Sequence, residues 1–200
     1  MKRLFDLFTG LFLLCLFWPI MLLVAIVVRV KLGSPILFKQ KRVGYNEQIF
    51  TLFKFRTMTN EKDEAGTDLP DSIRLTKVGL LLRRLSVDEL PQLFNVIKGD
   101  MSLVGPRPLL VRYLPYYTVE ERKRHSVRPG ITGYAQVEGR NLLDWNSRLT
   151  LDVKYVESLS FLLDLKIILK TISKTVIRDG IADVPDQQML DFDVERRMKA

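Results

Sequence analysis

From Leu11 to Val28 the chain carries no charged side chain and no amide or hydroxyl: LFLLCLFWPIMLLVAIVV. A run of this length is at the lower limit of a membrane-spanning helix. It passes into Arg29-Val30-Lys31 without a small-x-small cleavage site, so it is expected to stay attached rather than to be removed as a signal peptide. Lys2 and Arg3 flank one end, Arg29 and Lys31 the other. Cationic flanks favour the cytoplasmic side, and here both ends have them. Pro19 falls in the middle of the run, where it removes a backbone donor and crowds the preceding turn. A bent helix that enters and leaves by the same face satisfies both facts. A kinked but true span tolerates proline as well, and on the residues alone both readings stand.

The rest of the chain is long enough for one domain with a real core, since the sequence has 200 residues. Lys+Arg 31 against Asp+Glu 23 gives a net charge of +8, which directs attention to polyanions: nucleic acid, anionic lipid or phosphorylated ligands. The single cysteine, Cys15, excludes an internal disulfide framework. The single histidine, His125, argues against a His-rich metal site or a His-based triad and reads as a surface or boundary residue.

Gly33-Ser34-Pro35 closes the apolar segment, which gives a first unit over 1–32. Ile36–Gln40 and Gln48–Phe55 are rich in aromatic and β-branched residues and are separated by Gly44-Tyr45-Asn46, which predicts a hairpin. Its cations, with Lys54-Phe55-Arg56-Thr57-Met58 at the end, form a solvated strand end or an anion-binding lip. Residues 59–71 read as a polar surface loop. Ile73–Leu85 reads as one amphipathic basic helix, placed either on the core or on an anionic membrane surface. Leu149–Val156 reads as helix and carries Asp152. Phe161–Ile177 is the clearest amphipathic helix: Leu162, Leu165, Ile168, Leu169, Ile172 and Val176 recur at helical spacing with Lys166, Lys170 and Lys174 opposite, which reads as a helix core-packed on one side, with contact to lipid headgroups left open. The second unit then spans 33–180, and 181–200 is a polar tail expected to be poorly ordered. Within that tail Asp191-Phe192-Asp193 matches a metal-binding DxD pattern, and chance explains it. Walker, dinucleotide-glycine and zinc patterns are absent.

The chemistry-bearing stretch is Ser86–Pro108, SVDELPQLFNVIKGDMSLVGPRP. Asp88 and Glu89 are adjacent carboxylates that follow Arg83-Arg84, and Gly105-Pro106-Arg107-Pro108 is a stiff turn presenting one arginine. Spacing alone favours a plain explanation: Ser86 as a helix N-cap with Glu89 three residues on, a capping box. The alternative is an acidic dyad among cations, able to hold a divalent metal or to attack phosphorus, with Arg107 clamping phosphate.

Taken together, the motifs identify a family. Lys2-Arg3-Leu4-Phe5-Asp6, Lys54-Phe55-Arg56-Thr57-Met58, Leu85–Gln92, Asn95–Ser102, Gly105-Pro106-Arg107-Pro108, Arg128-Pro129-Gly130-Ile131-Thr132-Gly133 and Gly139-Arg140-Asn141 occur in one order. In that order the chain resembles the small monotopic polyprenyl-phosphate phosphoglycosyl transferases, the bacterial sugar transferases that initiate glycan assembly. The resemblance implies an α+β, mostly helical fold: a re-entrant membrane helix broken at Pro19, a small β-hairpin and amphipathic interfacial helices around a compact cytoplasmic domain. Many relatives have Ser-Pro at the break, whereas here Trp18 precedes Pro19. The implied reaction moves a sugar 1-phosphate from a UDP-sugar to polyprenyl (undecaprenyl) phosphate and releases UMP. Asp88 is the implied nucleophile, and Asp88 with Glu89 the implied Mg²⁺ site. Lys54, Arg56, Arg107, Arg128, Arg140, Asn141 and Asp152 form the expected substrate-binding set. Membrane lipids are expected partners, as are a second copy or downstream glycosyltransferases; nucleic acid is not. The expected location is the bacterial inner membrane, with the catalytic domain facing the cytoplasm. A membrane-anchored, non-catalytic scaffold of a glycan-assembly complex is the alternative.

Overall fold

The computed structural model describes residues 1–139, 143–177 and 190–199. Helix α1 runs from Lys2 to Leu32, with Pro19 inside it. By length and composition it is able to cross a membrane. One stripe of α1 lies along the rest of the protein over its whole length. Arg3 donates to the carbonyls of Val96 (2.5 Å) and Ile97 (2.7 Å). The buried Asp6 carboxylate accepts from Ser102 Oγ at 3.0 Å and the Leu103 amide at 3.1 Å. A Cβ on Gly10 would stand 3.3 Å from Val96. Further along, Met21, Val24 and Val28 are buried together with Phe55 and Leu82. The spacing 3, 6, 10, 21, 24, 28 is one helical face. On the remaining surface Leu4, Phe8, Phe12, Leu16, Leu23 and Ile26 are exposed.

The hairpin forms as predicted. Strands β1 (Leu37–Val43) and β2 (Ile49–Phe55) pair antiparallel around a short turn at Tyr45–Glu47. The expected helix over Ile73–Leu85 is instead two: α2 (Asp71–Arg74) and α3 (Lys77–Arg84). Thr76 divides them, because its hydroxyl accepts from the Gly79 amide as an N-cap, while Leu75 bridges to Met58. Gly79 also lets α3 lie against the backbone: a Cβ there would come within 1.8 Å of the Thr57 carbonyl oxygen. Helix α4 (Gln92–Lys98) has its C-terminal carbonyls covered by Arg3, a favourable place for a cation. Strands β3 (Ser102–Val104) and β4 (Gly130–Thr132) pair in parallel. Helices α5 (Val119–Arg122), α6 (Tyr134–Glu138), α7 (Trp145–Glu157) and α8 (Phe161–Ile177) follow. The described residues are thus mostly helical with small two-stranded sheets, and the main core gathers Leu52, Leu93, Val96, Met101, Tyr155 and Ile167.

Two further expectations are corrected. The first concerns the face of α8. Leu162, Leu165, Leu169 and Ile172 do not enter the core; they are exposed. The face that packs carries Asp164 and Ile167, which are buried. Asp164 anchors it, accepting from Lys2 at 2.5 Å and from the Tyr155 hydroxyl at 2.7 Å. The second concerns the tail, whose residues 190–199 are not frayed. Helix α9 (Phe192–Lys199) docks on the domain with Phe192 fully buried. The physical reason is aromatic: Phe192 sits among Tyr113, Tyr117 and Trp145 at ring-centroid distances of 5.2–5.5 Å.

Candidate active site

The capping explanation for the acidic pair fails. Ser86 adopts left-handed backbone (φ 55°) before a short turn over Val87–Glu89, and its side chain makes no capping bond. The Glu89 carboxylate turns to two distant cations instead: its Oε1 accepts from Lys54 Nζ at 2.5 Å and from Arg107 Nη2 at 2.9 Å. Burial alone would raise the Glu89 pKa, but Arg107 and Lys54 overcome it and hold the group down at about 2. Asp88 has the opposite fate. Its carboxyl is buried, and burial pushes its pKa up to about 6 against the pull of Lys54. It has no hydrogen-bond partner among the described residues. The neighbouring carboxylates therefore divide: one is locked between cations, the other is uncommitted and held less acidic.

Each sequence motif has a place in this arrangement. Lys54 stands near the end of β2, opposite Phe38. Phe55 packs against α1. Thr57 accepts from Arg83 Nε at 3.0 Å, which steadies Arg83 near Asp88. The turn bearing Arg107 is clamped backbone on backbone. A Cβ on Gly105 would come within 2.3 Å of the Arg128 carbonyl, and one on Gly130 within 2.1 Å of the Gly105 amide. Only glycines fit there, and Gly105 N donates to the Thr132 carbonyl at 2.9 Å.

Of the expected substrate-binding residues, the structure brings Lys54 and Arg107 to the dyad. Arg56 lies past the end of β2 and points elsewhere: it donates to the carbonyls of Leu32 and Ser34, capping the C-terminus of α1. Arg128 is occupied by the Gly99 carbonyl at 2.8 Å and stacks over Tyr45. Asp152 is in a buried ion pair with Arg124 at 2.8 Å. Arg140 and Asn141 lie outside the described residues. His125 is buried, not superficial; burial, reinforced by Arg124, pushes its pKa down to about 3, so it stays neutral.

Sequence reasoning missed Arg42 and Arg124. Arg42 donates to the Pro108 carbonyl at 3.3 Å, and burial together with Arg107 lowers its pKa to about 10. Arg124 donates to the Arg107 carbonyl at 2.6 Å. In the sequence these are two cations among many, and only the turn they hold gives them away. Arg42, Lys54, Arg83 and Arg107 thus surround two carboxylates, an excess of positive charge that suits a polyphosphate. Among the described residues no three ligating side chains converge on a metal. The dyad nonetheless fits a Mg²⁺ ion in part: it offers hard carboxylate oxygens, Asp88's unengaged, and such an ion commonly takes its other ligands from phosphate and water.

Comparison with known proteins agrees with this geometry. The family model described as "Bacterial sugar transferase" matches residues 1–178. The chain is 57% identical over 181 residues to the "Uncharacterized sugar transferase EpsL" of Bacillus subtilis (strain 168), covering 90% of each protein. It is 38% identical to the "UDP-glucose:undecaprenyl-phosphate glucose-1-phosphate transferase" of Caulobacter vibrioides, covering 90% of this chain and 71% of that protein. It is 42% identical to the "Undecaprenyl-phosphate glucose phosphotransferase" of Komagataeibacter xylinus, covering 88% of this chain but 36% of that longer protein. The match takes in both the apolar helix and the dyad with its clamped arginine turn, and the chain belongs to the bacterial sugar transferase family.

Proposed function

We propose that this protein is a polyprenyl-phosphate phosphoglycosyl transferase: it moves a sugar 1-phosphate from a UDP-sugar to undecaprenyl phosphate and releases UMP. The names of the Caulobacter and Komagataeibacter relatives support the acceptor, and the former also supports a UDP-sugar donor. The observation that carries the reading is the split dyad, in which Asp88 is free to attack while Glu89 holds Lys54 and Arg107 in place.

In the first step an Asp88 carboxylate oxygen attacks the phosphorus nearest the sugar, and the bond from that phosphorus to the bridging oxygen breaks, so UMP leaves with the electron pair. Arg107, Lys54 and Arg42 neutralise the charge that builds on the phosphate oxygens. In the second step a phosphate oxygen of the lipid attacks the same phosphorus, and the Asp88 carboxylate departs. The lipid phosphate is already ionised, so no general base is needed. Mg²⁺ held by Asp88 and Glu89 would supply further charge neutralisation to the diphosphate.

Enzyme in detergent mixed with a UDP-sugar alone is expected to release stoichiometric UMP and to gain the mass of one phosphosugar on the fragment containing Asp88. A panel of UDP-sugars belongs in the test, because the relatives are named for different sugars. Chelation is expected to stop turnover and Mg²⁺ to restore it. Intersecting double-reciprocal plots without an adduct would rule out the covalent route.

The same reading places both ends of α1 on the side of the catalytic domain. The helix contacts that domain from Arg3 to Leu32, which a helix crossing the bilayer away from it would not do. The exposed apolar residues of α1, with Leu162, Leu165 and Leu169 of α8, would then face lipid. Phe5 and Phe161, 5.2 Å apart, bring the two surfaces together. With the exposed Cys15 removed, cysteines placed at Met1 and at Lys31 are each expected to label from the cytoplasm only. Labelling of either end from outside would reject the re-entrant arrangement.

A further inference from the structure

Residues 190–199 lie beyond residue 178, where the family match ends. Their docking is nevertheless specific. Phe192 is fully buried. The Trp145 indole donates to the Leu190 carbonyl at 2.8 Å, and the Tyr113 hydroxyl donates to Asp191 at 2.7 Å. Arg112 pairs with Asp191, and Arg196 pairs with Glu121 and reaches Asn146. This is more than a frayed terminus needs.

The docked ring also connects to the site. Phe192 stacks on Tyr117 at 5.2 Å with the planes 30° apart. The Arg124 guanidinium lies 5.8 Å from the centroid of the same Tyr117 ring. Arg124 donates to the Arg107 carbonyl, and Arg107 donates to Glu89. A second branch runs from Phe192 to Trp145 at 5.3 Å, with Arg148 4.8 Å above that indole.

We infer that Phe192 is a positioning residue: its insertion into the Tyr113–Tyr117–Trp145 box fixes Tyr117, the ring on which Arg124 rests, and so holds the Arg107 turn against the acidic dyad. This inference rests on the proposed reaction for its kinetic consequence, but its mechanical part does not.

The test compares the full chain in detergent with Phe192→Ala and with Ile167→Ala, a deletion in the main core on α8. Hydrogen exchange is followed over residues 105–124, together with kcat/KM for the UDP-sugar and the melting temperature. Phe192→Ala is expected to speed exchange over 105–124 and to lower kcat/KM by about ten- to a hundredfold, the scale of a small displacement of a phosphate-binding group. Phe192→Leu, which refills most of the volume, should recover most of that loss. Ile167→Ala should lower the melting temperature but leave exchange over 105–124 and kcat/KM near wild type. Should Phe192→Ala not fold, Asp191→Ala removes the bonds to Arg112 and Tyr113 at a half-exposed side chain and carries the same test. Unchanged exchange over 105–124 in a folded Phe192→Ala protein would overturn the inference. So would an equal loss of kcat/KM in Ile167→Ala at a matched melting temperature. A wild-type enzyme that turns over no UDP-sugar would instead defeat the proposed function, and the exchange measurement would then decide the inference alone.

Discussion

Asp88→Asn is expected to abolish both the phosphosugar adduct and turnover, and at pH 8 to make the protein more stable than wild type. On the proposed reaction, the loss of activity follows from the missing nucleophilic oxygen. The gain in stability follows from linkage. The Asp88 pKa is raised from 3.8 to about 6 in the folded protein, so folding binds its proton more tightly. Its contribution to stability is therefore fully present below pH 3.8 and lost as pH rises through about 6. At pH 8 the ionised, buried carboxylate is a net cost, and a neutral amide removes it. The expected gain is on the order of 2 kcal/mol, read by denaturant unfolding in detergent. An Asp88→Asn protein that is less stable at pH 8 would mean that the carboxylate is structural.

The largest expected loss of stability comes from Asp152→Ala. The Arg124–Asp152 pair is almost fully enclosed, with side-chain exposures of 1% and 3%. Removing the carboxylate strands a buried guanidinium, a change that costs about 3–5 kcal/mol. Replacing both partners by leucine should return much of that loss, because the desolvated charge goes too. Activity should fall in Asp152→Ala as well, since Arg124 also holds the Arg107 carbonyl. If Asp152→Ala instead left the melting temperature unchanged and raised only the donor KM, Asp152 would contact substrate after all.

What the sequence makes legible here is whatever is local. The hairpin is, because β-branched runs and turn residues lie side by side in the chain. So is the extent of α8, from its periodicity. Which face of α8 is covered is not: periodicity reveals an apolar stripe but not its partner. Here the buried face is chosen by Asp164, whose partners are Tyr155 on the preceding helix and Lys2 at the far end of the sequence, 162 residues away. The role of Glu89 is hidden for the same reason. A capping box is a local signal, and two cations at sequence separations of 35 and 18 outcompete it. Lys54 and Arg56 look equivalent on a strand of period two. The strand stops at Phe55, so the alternation stops with it, and Arg56 swings to the end of α1. Phe192 lies among polar residues, and only the aromatic box formed by distant residues explains it.

The stripe of α1 that lies on the protein changes what kind of object that helix is. Val87 and Leu90, which flank the acidic pair in sequence, are packed into the same cluster as Met21, Val24 and Val28. The floor beneath Asp88 and Glu89 is therefore built partly from the apolar segment itself. Trimming the first 32 residues to obtain a soluble enzyme would not simply cut a tether. It would remove a wall of the reaction chamber, along with Arg3 from the end of α4 and Asp6 from β3. In this protein the apolar helix and the residues flanking the acidic pair share one packed cluster, so the proposed reaction would take its place at a bilayer from the way its own core is packed.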